Sequence, residues 1–228
     1  MGLDLVDVWN NMSIIVQIIT VVMLLMSVFM FYVIVERLLT LRAGSDQTIR
    51  YVQALGEYLR QHKVNDALNA ARGAPKSPVA KVMEAGLTAL LQGREALKTE
   101  GPDDVGDFDL VDSVNRALER VKERETSNLR RGLPYLGTVA SATPFIGLLG
   151  TVIGILGTFQ LLKATSVTMT TIGPKISEAL VSTALGLAVA ILGAVAFNYF
   201  TSRVEQFVID MNDVSSEFID YVLREGRG

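Results

Sequence analysis

Residues 133–162 read LPYLGTVASATPFIGLLGTVIGILGTFQLL, without one Asp, Glu, Lys or Arg. A helix needs about 20 mainly apolar residues to cross the hydrocarbon core of a bilayer, and this stretch exceeds that. Helix is the conformation expected, because backbone polar groups in lipid must be satisfied within the segment. Two further stretches share the character. One is centred on Ile14–Val35. The other runs from Ala179 to Ser202, with Glu178 at its head. The fold class read from this layout is an all-α membrane protein with three transmembrane helices and long cytoplasmic helical extensions. Its divisions are an N-terminal segment 1–13, spans at 14–36, 133–162 and 176–202, a middle region 37–132, a loop 163–175 and a tail 203–228.

Composition agrees with this class. Half of the 228 residues are hydrophobic, and the mean hydropathy of +0.36 is high for a soluble domain. The first span is read as an uncleaved anchor. Residues 1–13 hold Asp4 and Asp7 but no basic residue, and the apolar stretch is too long for a signal sequence. Orientation follows from the basic residues. Segment 1–13 has none, 36–132 has sixteen, 163–175 has two and 201–228 has three. Arg37, Arg42, Arg130 and Arg131 flank the spans, which places the middle region and tail in the cytoplasm and the N-terminus and 163–175 loop outside.

The cytoplasmic parts read as helices. Asp46–Ala71 carries apolar residues at helical spacing and is broken by Gly73–Pro78. A short helix is expected over Val79–Gln92, a loop over Thr99–Asp109, and a further helix over Phe108–Arg131. That helix would run into the second span with little break, Pro134 kinking the junction. In the tail, Val204, Val208, Met211, Ser215, Phe218 and Val222 recur at spacings of four and three, one apolar stripe. The stripe packs either within the chain or between subunits; periodicity does not choose.

The second and third spans are rich in small residues. Gly147, Gly150, Thr151 and Gly154 form one stripe, with Pro144 just before it. Ser182, Thr183, Ala184, Gly186 and Ala190 recur in the third span. Small residues allow helices in lipid to approach closely, so both spans are expected to pack against other helices. Thr151 either bonds its own backbone carbonyl four residues back or presents its hydroxyl elsewhere. Glu178 is an ionisable residue near membrane depth, which is costly and usually faces a bundle interior or water. It is either an interfacial carboxylate capping a helix or pairing with Lys175, or a carboxylate at the mouth of an ion path.

Several classes are disfavoured. There is no cysteine and one histidine, His62, so a thiolate or transition-metal site is not expected. No nucleophile–base pair, P-loop, cofactor motif or nucleic-acid signature is present, so an enzyme is not expected. Three spans without an inverted repeat are too few for a usual secondary transporter. A structural membrane scaffold without ion flux remains an alternative.

The runs from Leu133 to Gly154 and from Ile176 to Ile191 resemble the MotA/TolQ/ExbB proton-channel family, and the length and short N-terminal segment look most like its TolQ/ExbB branch. The resemblance is strongest over 130–200. It implies an inner-membrane subunit that couples proton motive force to mechanical work on envelope or motility machinery. It also implies a homopentamer around a TolR/ExbD-type single-span partner that supplies a protonatable aspartate. On this resemblance Thr151 and Thr183 match pore-lining threonines, and Glu178 matches a glutamate near the pore. Ala190-Ile191-Leu192 stands where many relatives have Ala-Ile-Pro, so a kink is expected to be missing. A gliding-motility homologue is also compatible.

Overall fold

The fold is described from a computed structural model, which describes residues 9, 12–100, 110–162 and 169–225. Among the described residues these helices follow in order: α1 Ile14–Arg60, α2 Val64–Arg72, α3 Pro78–Glu100, α4 Leu110–Leu129, α5 Leu133–Leu162 and α6 Met169–Glu225. No strand occurs among the described residues. Among them, three helices are long and apolar enough to cross a membrane. The chain divides into two compact units, Met1–Glu36 with Gly132–Phe200, and Arg37–Arg131 with Thr201–Gly228. Helices α1 and α6 contribute to both.

The first unit is built from the N-terminal part of α1, all of α5 and the N-terminal part of α6. Its interior is thin. Val16, Met23, Met30, Leu136 and Val139 are buried, together with the polar residues Thr20, Thr143, Glu178 and Ser182. Its exterior is apolar: Ile14, Leu25, Val28, Phe145, Leu180, Ile191 and Val195 are all well exposed. Only 28% of the most apolar window of each long helix is buried within the chain. The remainder requires lipid or other helices, since water would not tolerate such contiguous apolar surface.

The second unit has an ordinary packed core. Tyr51, Leu55, Leu68, Met83, Leu87, Leu90, Leu118, Met211 and Phe218 are buried. A Cβ on Gly86 would meet Leu118 Cδ2 at 2.5 Å and Phe218 Cε1 at 3.0 Å, so α3, α4 and α6 converge there. The apolar stripe of the tail is therefore covered within the chain: Val204, Met211, Phe218 and Val222 are buried, with Phe207 and Val214 beside them. A polar network ties α1, α3 and α4. Arg37 donates to the Asn128 carbonyl at 3.3 Å, a cation at the C-terminal end of α4. Asn128 donates to Glu125 at 3.0 Å, and Lys81 pairs with the same buried carboxylate at 2.8 Å. Burial, with Glu84 nearby, pushes the Tyr51 phenol above its ordinary pKa.

Several boundaries differ from the sequence reading. Asp46–Ala71 is not one helix. It is the end of α1, a turn, and α2. The turn is a Schellman-type stop. His62 has φ of 57°, its amide donates to the Leu59 carbonyl, and the Lys63 amide donates to the Tyr58 carbonyl at 2.9 Å. A non-glycine residue fills the left-handed position, so the usual glycine signal is missing. Helix α3 extends past Gln92 to Glu100. It is started by Ser77, whose Oγ accepts the Ala80 amide at 3.0 Å, with Pro78 in the first position. Of the expected loop 99–109, Thr99 and Glu100 are helical and 101–109 lie outside the described residues. The break before α5 is made by Gly132, at φ of 84°; Pro134 lies in the first turn of α5, where its missing amide costs little. Helix α6 begins at Met169 and carries Pro174 inside it, so part of the expected 163–175 loop is helical. It also runs unbroken through Ala190-Ile191-Leu192.

Candidate functional site

Within the first unit α5 and α6 lie in close contact, and the glycines make this possible. A Cβ on Gly147 would stand 3.1 Å from Thr183 Cα. One on Gly154 would stand 2.9 Å from Ala179 Cβ, and one on Gly186 2.7 Å from the Thr143 carbonyl oxygen. A Cβ on Gly150 would collide with Ser182 Oγ. The small residues of the two spans thus face each other inside one chain, the packing that lipid-embedded helices favour. The opposite side of α5, with Phe145, Leu148, Leu149, Val152, Ile155 and Phe159, remains exposed. Pro144 is half-buried inside α5. It removes one helical hydrogen bond. Around it, Thr138, Ser141 and Thr143 bond carbonyls three or four residues back, at 2.7 to 3.2 Å.

Thr183 and Thr151 are both half-buried. Thr183 Oγ1 donates across the helix pair to the Gly147 carbonyl at 2.9 Å. Thr151 Oγ1 donates to the Leu148 carbonyl at 2.7 Å, three residues back rather than four. The two hydroxyls therefore rest on carbonyls of consecutive residues. As each hydroxyl has two lone pairs, each keeps acceptor capacity after donating its proton. Ser182 Oγ is buried with no hydrogen-bond partner.

Glu178 lies deeper than a position at the head of a span suggests; its side chain is 1% exposed. Its Oε2 pairs with Lys175 Nζ at 3.2 Å, and its Oε1 accepts the backbone amide of Ser13 at 2.8 Å. Pairing with Lys175 was one of the alternatives the sequence left open. The Ser13 contact, across 165 positions of sequence, was not. A cavity of about 460 Å³ borders this group, lined among others by Ser13, Ile153, Gly154, Gly157 and Lys175. Among the described residues no cluster of three or more His, Asp or Glu is placed to hold a metal.

These features define a helical membrane subunit with small-residue packing and hydroxyl groups between its spans. The profile of the MotA/TolQ/ExbB proton channel family matches residues 74–213, and the chain belongs to that family. It is 30% identical to the Tol-Pal system protein TolQ of Pseudomonas aeruginosa, over 94% of this chain and 92% of that one. It is 30% identical to the TolQ of Haemophilus influenzae, over 99% and 96%. Identity to the biopolymer transport protein ExbB of Xanthomonas campestris pv. campestris is 44%, confined to 42% of this chain and 38% of that one. The relatives support the TolQ/ExbB branch. Three apolar helices together with this membership fit an inner-membrane protein.

Proposed function

We propose that the chain is the proton-channel subunit of an inner-membrane energy-transducing motor, coupling proton motive force to mechanical work. The observation that carries the reading is the pair of threonine hydroxyls on consecutive α5 carbonyls, at 2.7 and 2.9 Å, within a family of proton channels. In the assembly Thr151 and Thr183 line the conducting passage and Glu178 stands near its mouth. Hydroxyls can bond a chain of water without retaining a proton, so the proton acceptor comes from elsewhere. A single-span partner of the TolR/ExbD type supplies it as an aspartate, and copies of this chain, five on the resemblance, close around the partner. The exposed apolar side of α5 and the exposed face of α1 are surfaces for neighbouring helices and lipid. The N-terminus and residues 163–175 face outward, and the middle region and tail face the cytoplasm.

The test is Thr183→Val, which keeps the size and removes the hydroxyl. Normal insertion and assembly are expected, with proton flux into proteoliposomes that hold the chain together with its single-span partner reduced at least about tenfold, as losing a hydrogen bond worth about 1.4 kcal/mol in the conducting state would give. Full flux in the variant would remove Thr183 from the conducting passage, and no flux in the parent complex would favour a scaffold that conducts nothing. Cysteine placed at position 10 or 168 should react with an impermeant reagent from outside; reaction from the cytoplasm alone would overturn the topology.

A further inference from the structure

We infer that Glu178 is a positioning residue: it caps the N-terminal end of α1 from another helix and tethers α1 to α6 through the Ser13 amide, rather than carrying the proton. The first four amides of any helix lack partners within it. In a common solution, an acid three residues after the cap reaches back to the cap's own amide. In α1 the cap position is Ser13, and the residue three further on is Val16; the first turn holds no acid. Ser13 Oγ reaches the Val16 amide only at 3.5 Å. The missing half of the arrangement is supplied from 165 positions away, by Glu178 Oε1 at 2.8 Å.

The environment suits a fixed role. A carboxylate is favoured at a helix N-terminus. Lys175, one turn earlier on α6, occupies the second oxygen at 3.2 Å. Each oxygen thus holds one contact to a different element of the packing, and the side chain is almost wholly buried. The next residue, Ala179, is the one that Gly154 packs against. The tether therefore holds the start of α1 where α5 and α6 already touch, and fixes the helix that flanks the threonines.

This role adds to the proposed channel function and rests on it for its flux readout alone. The full chain in lipid nanodiscs is compared by amide hydrogen exchange over residues 12–20, and, reconstituted with its single-span partner in proteoliposomes, by proton flux against pH. Glu178→Ala and Ser13→Pro remove the acceptor and the donor respectively. Each should speed exchange at the start of α1 by about tenfold or more, the loss expected for a hydrogen bond to a charged group. The double variant should add little to either. Glu178→Gln keeps an acceptor, and should restore slow exchange and a flux–pH profile like that of the parent. Abolished flux in Glu178→Gln with unchanged exchange would overturn the inference in favour of a relay, and unchanged exchange in Glu178→Ala would remove the tether. Should the parent conduct no protons, the channel reading fails while the exchange comparison still decides the tether.

Discussion

The two units of the chain solve the problem of holding helices together in opposite ways. In the second unit large side chains such as Met83, Leu118 and Phe218 fill a buried core, and the hydrophobic effect does most of the stabilising. In the first unit the apolar side chains are mostly outside, and lipid gives no comparable force between helices. Contact there relies on the absence of side chains at Gly147, Gly150, Gly154 and Gly186, and on single polar bonds such as Thr183 to Gly147 and Glu178 to Ser13. The same substitution should therefore have opposite consequences in the two units.

The largest effect is expected from Phe218→Ala, which empties the convergence of α3, α4 and α6; thermal unfolding should report a loss of about 4 kcal/mol. Gly186→Ala tests the other unit. Its Cβ would meet backbone at 2.7 Å, an atom with little room to yield, so a loss of about 2 kcal/mol in detergent stability is expected. A neutral result would mean that α5 and α6 are not in close contact. Ser77→Ala removes the cap of α3 and the 2.7 Å bond between Ser77 and Thr48, and should cost about 1 kcal/mol by the same thermal measurement. Gly56→Ala, in the second unit, meets nothing within 4 Å. Helix propensity alone then predicts a gain of about 0.7 kcal/mol. An alanine that helps at 56 and harms at 186 would sharpen the contrast; equal effects would break it.

Much of the fold was legible because its signals are local. Charge-free length marks the three spans, and spacings of three and four mark the tail stripe. The turns were harder. His62 ends α1 in a left-handed conformation that sequence habitually assigns to glycine, and α6 begins inside the stretch 163–175 that was expected to be a loop. Helical spacing over 46–60 did not say which face is covered: Thr48, Tyr51 and Leu55 are buried, whereas Ile49 is exposed. A shift of one position turns a helix by about 100°, and a stretch with mixed apolar positions supports either face.

The candidate site divides along the same line. Glu178 and the glycines could be singled out from residue type and spacing, because small residues and a lone carboxylate are conspicuous in a span, whereas roles for Thr151 and Thr183 came from the family resemblance. Pairing of Glu178 with Lys175 was one of the readings the sequence left open; the helix start at Met169 puts the two three apart on one helix, where they are neighbours. Only the tertiary structure decided what these groups touch. It set Gly147 against Thr183, turned the Thr183 hydroxyl onto a carbonyl of another helix, and brought Ser13 to Glu178. Helical periodicity fixes the face on which a residue lies, whereas the partner of that face depends on how separate helices pack, and no local pattern carries that information.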